Sequence, residues 1–387
     1  MAYDRDLSFI YYNPTKVIFG ENSVKEVALE VEALGGTRAV VVTDRGVVEA
    51  GLAARVEEAL GRKHAATFDR VIQDSGFHIV NEGAELAREA GADIIVSVGG
   101  GSVIDTGKGM SILLKEGGRL EDYSGFQMLT RPQTPHIAIP TTAGTGSEVT
   151  YAAVIKNWDT NEKMLFCDYH IIPSVAILDP TMTAGLPPAL TASTGMDALT
   201  HAIEALHALQ REPIADAMAL HAIRLIWEYL PRCVEQGDDL VARGQQQIAA
   251  LMAGVAFSNA QIGLVHAMAH SVGALFKVPH GLANSILLPH VMLFNLECCA
   301  DRYALVAQAM GLNTCDVSDE AAGRAAAEAI WELTRRMGLP QRLREAGVPE
   351  EGLAAAAELS LSDGSIVYNP RLVFEAEEVL AIFREAW

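Results

Sequence analysis

The sequence is short of positive charge: 29 lysines and arginines stand against 49 aspartates and glutamates, a formal net charge of −20 over 387 residues. That balance argues against nucleic acid or an anionic membrane surface as the main partner, and solubility is its simplest use. No run of about eighteen uninterrupted apolar residues occurs. The start, Met1-Ala2-Tyr3-Asp4-Arg5-Asp6, has neither the basic segment nor the apolar run of a secretory leader. A cytoplasmic protein with no membrane partner is the expectation. Cysteine is scarce too: Cys167, Cys233, Cys298, Cys299 and Cys315 are odd in number and form no CxxC pair. This fits reduced thiols better than a disulfide framework. The adjacent Cys298 and Cys299 are expected as buried packing residues, the usual place for a free cysteine. Internal repeats and low-complexity linkers are absent as well. What is present is a composition 50% apolar and 20% charged, enough for a sizeable interior in a chain longer than a single core usually reaches. Two domains are expected.

The first half alternates short β-rich runs with helical stretches. Arg38-Ala39-Val40-Val41-Val42-Thr43-Asp44, Asp93-Ile94-Ile95-Val96-Ser97-Val98 and Ile137-Ala138-Ile139-Pro140 are continuous apolar runs of the kind that suits strands covered on both faces. After about Leu186 the texture changes to alanine-rich segments with three-and-four spacing. Ile248, Leu251, Met252, Val255 and Ala256 mark one helical face and the stretch from Ala321 to Met337 another. Pro187-Pro188 is a natural break, since proline is tolerated in the first turn of a helix and not inside it. The expected organisation is an α/β N-terminal dinucleotide-binding domain with a parallel sheet over residues 1–186, followed by an all-α C-terminal metal-binding domain over 187–387.

Two loops carry nucleotide-binding signals. Gly99-Gly100-Gly101-Ser102 follows the strand ending at Val98 and precedes a helix carrying Asp105 and Lys108. Glycines let a backbone approach a phosphate closely, and the N–H groups of a helix start favour an anion. The loop follows neither GxGxxG nor GxxxxGK[ST]. Asp44, at the end of a strand, precedes it, whereas the usual dinucleotide fold places its ribose-binding acid about twenty residues after the glycines. The topology should be related but different. The second cluster, Thr141-Thr142-Ala143-Gly144-Thr145-Gly146-Ser147-Glu148, offers hydroxyls and flexible backbone that could wrap the nicotinamide side of a cofactor; alone, such a loop is more often a turn.

The metal signal is built from spacing. Asp197 and His201 would project from one face of a helix. Such a pair alone is more often a surface contact or a cap. It gains weight from Gly263-Leu264-Val265-His266-Ala267-Met268-Ala269-His270-Ser271-Val272-Gly273 and the following Val278-Pro279-His280-Gly281. Histidines this close together among small and apolar residues are hard to explain as solvated surface, and imidazole with carboxylate suits iron(II) or zinc. Spacing leaves open whether His270 ligates or stands nearby, because His266 and His270 share a helical face. His290, after Pro289, is read as structural, and His207 and His221 as ordinary helix residues.

From Pro14-Thr15-Lys16-Val17-Ile18-Phe19-Gly20 almost to its end, and most specifically in the GxxHxxAHxxG segment and the later Pro-His-Gly, the chain resembles the iron-containing, group III alcohol dehydrogenases. The resemblance implies that Asp197, His201, His266 and His280 hold one Fe2+ (or Zn2+), while His270 stands beside the substrate and relays a proton. It implies NAD contacts by Asp44, Gly100, Gly101, Ser102, Thr141, Thr142, Thr145 and Lys163, the last in Asn161-Glu162-Lys163, and places Phe257 in the substrate pocket. The implied reaction is hydride transfer between a small alcohol or aldehyde and NAD, with the metal as Lewis acid. A homodimer or an assembly of dimers is implied as well. Asp44 should select NAD over NADP, since a carboxylate bonds ribose hydroxyls but repels a 2′-phosphate.

Some positions depart from the family pattern. Val103 follows Gly101-Ser102 where proline is common, and Asp74-Ser75 replaces a common Asn-Pro. Asp363-Gly364-Ser365-Ile366-Val367-Tyr368-Asn369-Pro370-Arg371 carries bulky residues where glycine is frequent, in a loop expected to face the substrate. Two other functions compete. A metal- and NAD-dependent cyclase or lyase of the dehydroquinate synthase type would need fixed lysine or arginine near the metal to neutralise phosphate, and no basic cluster lies beside His266 to His280. A non-catalytic, metal-stabilised binding protein would need a closed coordination shell and leaves the glycine loop without a role.

Overall fold

A computed structural model describes residues 7–158 and 162–387. Met1 to Asp6, on which the cytoplasmic expectation rests, and Asn161 lie outside the described residues.

Among the described residues, nine strands form two sheets. The main one is wholly parallel and contains β1 (Lys16–Phe19), β2 (Ala39–Asp44), β3 (His64–Val71), β4 (Ile94–Gly99), β6 (His136–Pro140) and β9 (Val175–Leu178), in the order β1-β9-β6-β4-β2-β3. A smaller sheet joins β5 (Gly125–Phe126), β8 (Glu162–Cys167) and β7 (Ala152–Asn157), with β7 antiparallel to β8. The expected strands are therefore present at 39–44, 94–99 and 136–140.

The period-two geometry of a strand explains their unbroken apolar runs. Val40, Val42 and Ile95 enter one core with Phe68, Phe77, Val80, Met110 and Ile112. Their neighbours Val41, Ile94, Val96, Val98, Ile137 and Ile139 enter a second, on the opposite face, with Val27, Val31 and Val56. Each such side chain contributes about 1.5–3 kcal/mol through burial. A sheet apolar on both sides must be covered on both sides, and helices cover it.

Strand order also locates a crevice. From β2 the chain moves outward to β3, then crosses back to place β4 on the other side of β2. Ligands in open α/β sheets bind beyond the carboxyl ends of the strands where the order reverses. Asp44, Gly99 and Pro140 are the last residues of β2, β4 and β6, so the acid and both loops singled out in the sequence emerge from that edge.

Beyond β9 the chain is helical: Pro188–His207, Pro213–Glu235, Leu240–Ala260, Leu264–Phe276, His280–Ala309, Asp319–Arg336, Leu353–Leu361 and Ala376–Ala386. The first opens on Pro188, where the double proline placed the break. By spatial contact the described residues form two compact units, one within Pro14–Ala198 and Glu228–Gly254, the other within Met1–Asn13, Leu199–Trp227 and Val255–Trp387. The His280–Ala309 helix is apolar and long enough to cross a membrane, but 72% of its most apolar window is buried. It also carries Asn295, which exchanges two hydrogen bonds with Asn369 at 2.9 and 2.8 Å, and this marks it as a core helix.

Two expectations need correction. In the Leu240–Ala260 helix only Val255 and Ala256 of the expected apolar face are buried; Ile248, Leu251 and Met252 are half-buried. Ala249, Ala250, Ala253 and Gly254 take the close-packed side, because this helix is met by backbone. A Cβ on Gly254 would lie 2.8 Å from Gly146 Cα, a distance that only small residues permit. Cys299 is buried as expected but Cys298 is exposed. The helix changes direction at Cys299 (φ −149°, ψ 37°), and only this second cysteine turns inward.

His136, on β6, is fully enclosed, with Nε2 2.8 Å from Ser97 Oγ. Burial, reinforced by the nearby Lys108 charge, pulls its pKa down to about 3. An unfolded histidine titrates near 6.5, so on acidification the unfolded chain gains a proton that the folded chain refuses. The stability contributed by the neutral ring is complete above about pH 6.5 and is lost as the pH falls towards the folded value. Thermal unfolding of His136→Gln should therefore show a shallower loss of Tm between pH 6.5 and 4 than the wild type. Parallel curves would contradict this.

Candidate functional site

The candidate metal centre is assembled from helices. Asp197 and His201 stand one turn apart on Pro188–His207, and His266 lies on Leu264–Phe276. All three are buried, and each offers a ligand atom within 4.8 Å of the other two. Asp197 and His201 share one continuous helix, which fixes the spacing of the two side chains. The His201 and His266 rings stack at 4.6 Å.

His280 begins the next helix, with its ring 5.2 Å from that of His266. It is not one of the three mutually close ligands, although its Nε2 turns to the same place: Asn284 Nδ2 lies 3.2 Å from His280 Nε2 and 3.3 Å from His266 Nε2. Buried carboxylate and imidazole donors brought this close fit iron(II) or zinc in kind. The Phe257 ring, expected in the substrate pocket, lies against that of His201 at 4.3 Å and 19°.

His270, one turn beyond His266, is outside the ligand group. Its ring stacks on that of His280 at 5.1 Å, and its Nδ1 lies 2.7 Å from Asp363 Oδ2. Burial alone would raise the Asp363 carboxyl; the His270 charge and hydrogen bond, with bonds from Ser365, outweigh it and hold the carboxyl well below the usual carboxylate range. The bulky C-terminal loop thus reaches the candidate proton relay through its first residue.

Glu204 was not singled out by sequence reasoning, and it is completely buried. Its Oε1 accepts from the Val265 N–H at 2.8 Å, and its Oε2 pairs with His266 Nδ1. Burial pushes this carboxyl up, but the adjacent His266, with His207 and the Val265 N–H, brings it below its ordinary value. A signal for it existed: Glu204 falls three residues after His201 and seven after Asp197, on the same helical stripe. Asp363, 93 residues from His270, left no such local trace. His290 and His207 are buried with depressed pKa values of about 4, both chiefly through burial. They pack edge-on against Trp331 and Tyr303, as structural residues.

The nucleotide signals converge within the unit of Pro14–Ala198 and Glu228–Gly254. Gly100 caps the Gly101–Glu116 helix, which starts directly after the carboxyl end of β4. The Thr141 N–H donates to Gly99 O at 3.0 Å, so the second loop leaves its strand alongside the first. A Cβ on Gly100 would meet Thr142 at 3.3 Å, and one on Gly101 would come within 2.7 Å of Thr145 Cγ2. Val103, the departure from the family pattern, instead constrains Gly99, where a Cβ would stand 2.5 Å from Val103 Cγ2.

Beneath the loops, Lys108 donates to Ser147 Oγ at 2.8 Å, Thr150 Oγ1 at 3.1 Å and Ala152 O at 2.6 Å. Burial pulls its pKa down to about 8 against the opposing pull of Asp105 and Glu148. Ser102 Oγ accepts from the Asp74 N–H at 3.3 Å, and the Asp74 carboxylate pairs with Lys163 Nζ at 3.2 Å. Ser102 and Lys163 are therefore linked through Asp74, one of the departures from the family pattern. Asp44 caps its own helix by accepting from the Val47 N–H with Oδ1 at 2.9 Å.

Comparisons with known proteins agree along the chain. Residues 14–180 match the family described as iron-containing alcohol dehydrogenase, and residues 191–387 match the Fe-containing alcohol dehydrogenase family, C-terminal. The chain is 42% identical over 383 residues to a 1,3-propanediol dehydrogenase of Klebsiella pneumoniae, covering 98% of this chain and 99% of that protein. It is 38% identical over 378 residues to an NAD-dependent methanol dehydrogenase of Bacillus methanolicus, covering 97% and 99%. Among solved structures, a 1,3-propanediol oxidoreductase superposes with a TM-score of 0.96 at 42% identity, covering 98% of this chain and all of that one.

Proposed function

Because the chain belongs to the iron-containing alcohol dehydrogenase family and is an alcohol/aldehyde oxidoreductase, we propose that it interconverts a short primary alcohol and its aldehyde, with NAD as hydride carrier and iron(II) as the preferred metal. The observation that carries this reading is the buried Asp197, His201 and His266 group, with ligand atoms within 4.8 Å of one another. When bound, the metal supplies a Lewis acid for the substrate oxygen and the nicotinamide exchanges a hydride with the carbinol carbon.

The chain's own residues do the rest. Asp197, His201, His266 and His280 provide one carboxylate and three imidazoles, while Phe257 supplies an apolar wall. Asp363 holds His270 through Nδ1, so Nε2 is the atom that takes the hydroxyl proton in oxidation and returns it in reduction. The glycine loop and its helix start receive the pyrophosphate, Ser102, Thr141, Thr142, Thr145 and Lys163 add polar contacts, and Asp44 meets the ribose. The propanediol and methanol dehydrogenases named above support a short substrate. A homodimer or assembly of dimers belongs to the same reading.

Purified protein loaded anaerobically with Fe2+ should change nicotinamide absorbance with short alcohols and aldehydes, with metal content measured on the same sample. The absence of both turnover and NAD binding across such a panel would refute the reading. Asp44 offers a second check: the wild type should favour NAD, and Asp44→Ala should raise the NADP-to-NAD ratio of kcat/KM by roughly 10-fold or more, through loss of a like-charge penalty. A wild type at least as efficient with NADP would overturn the role of Asp44.

A further inference from the structure

We propose that Glu204 is a positioning residue for the metal centre, fixing both the place and the tautomer of His266; this rests on the metal-dependent reading above. One carboxylate performs both tasks. Oε1 accepts the Val265 N–H at 2.8 Å, which seats the first turn of the Leu264–Phe276 helix, and Oε2 engages the ring Nδ1 of the next residue, His266. An ionised carboxylate only accepts hydrogen bonds, so Nδ1 carries the proton and Nε2 keeps its lone pair for a metal. Outer groups that orient a ligating imidazole in this way strengthen metal binding by about 10- to 100-fold.

The surroundings are built for this contact. Glu204 lies one turn beyond His201 on the same helix and is completely buried, so its side chain reaches His266 from a rigid support. A Cβ on Gly263 would stand 3.3 Å from Glu204 Oε1 and 3.1 Å from Asn369 Oδ1. Glycine at this position leaves the carboxylate room at the helix start. Asn369 Oδ1 in turn faces the Leu264 N–H at 3.4 Å, so the adjacent backbone donor has its own acceptor and Glu204 is directed to Val265 and His266.

A plain helix cap makes a different prediction. The carbonyl of glutamine could satisfy the Val265 N–H as well as a carboxylate does, so a cap would tolerate the isosteric Glu204→Gln and suffer from the shorter Glu204→Asp. Positioning predicts the reverse. In Glu204→Gln the amide that keeps the Val265 bond turns its NH2 towards Nδ1, driving the ring proton to Nε2, where it opposes a metal. Aspartate keeps an acceptor-only carboxylate.

The experiment measures Zn2+ and Co2+ dissociation constants by chelator competition on the wild type, Glu204→Gln and Glu204→Asp, with the Co2+ absorption spectrum, metal-free Tm and NAD affinity of each. Glu204→Gln is expected to bind metal about 10- to 100-fold more weakly with an altered Co2+ spectrum, while NAD affinity stays unchanged and Glu204→Asp falls between it and the wild type. Wild-type metal affinity in Glu204→Gln, or weaker binding by Asp than by Gln, overturns the proposal while leaving the metal site intact. Should Glu204→Gln not fold, the comparison of Glu204→Asp with the wild type decides: a loss of metal-free Tm with unchanged metal affinity and Co2+ spectrum refutes positioning, and weakened affinity with an altered spectrum supports it. A wild type that binds neither ion refutes the metal reading itself.

Discussion

His266→Ala is expected to lose its tightly bound metal and with it at least about 10³-fold in kcat, the scale on which removal of a central electrostatic group acts. The variant takes away a buried ligand whose donor atom lies within 4.8 Å of those of Asp197 and His201. It also strands Glu204, a fully buried carboxylate whose Oε2 faces the lost ring. Leaving a buried acceptor without its partner costs about 1–3 kcal/mol, and more when the acceptor is charged, so the metal-free Tm should fall as well.

His270→Ala should behave differently. Its ring is partly exposed and bonds to Asp363, so the variant should keep most of its metal while losing about 10²- to 10⁴-fold in turnover, the usual contribution of a general acid or base. Metal stoichiometry and kcat on the same preparations separate the two roles. A metal-free His270→Ala would show that His270 ligates and that the division drawn here is wrong.

The second large effect is expected at the cofactor. Alanine is the better helix former, so on propensity Gly101→Ala at the start of the Gly101–Glu116 helix should be harmless. Geometry says otherwise: the added methyl would lie 2.7 Å from Thr145 Cγ2 and 3.0 Å from Thr145 Oγ1. Either Thr145 turns away, giving up the bond its Oγ1 accepts from the Ser147 N–H at 3.3 Å, or the helix start shifts. Both displace groups assigned to NAD. Overpacking of this kind costs about 1–3 kcal/mol, equivalent to about 5- to 150-fold in NAD affinity, with metal content unchanged. Gly100→Ala, whose nearest contact would be 3.3 Å from Thr142, should be milder. Fluorescence titration with NADH reads both, and wild-type affinity in Gly101→Ala would rule out close approach of the two loops at the cofactor.

Much of this was legible in the linear chain where chemistry is local. The runs at Val40–Val42 and Ile94–Val98 announced strands because a parallel sheet buries both faces, leaving no polar alternation to confuse with a helix. Asp197 and His201, like His266 and His270, share faces because a helix returns every three to four residues. The Leu240–Ala260 helix was misread in part because hydropathy favours large residues, whereas close backbone approach at Gly146 selects small ones. Cys298 followed the habits of its residue type until the bend at Cys299 separated the two thiols.

The sequence by itself determined the kinds of donor, their helical spacing and the loops that end the strands, since residue type and backbone periodicity are properties of short segments. Only the tertiary structure decided which donors meet. It placed Asp197, His201 and His266 within reach of one ion, with His280 beside them and His270 turned to Asp363. It brought the two glycine-bearing loops together at the sheet edge, and it closed Glu204 onto His266. Those choices depend on the packing of helices distant in sequence, and a buried carboxylate adopts the partner that packing leaves within hydrogen-bond range.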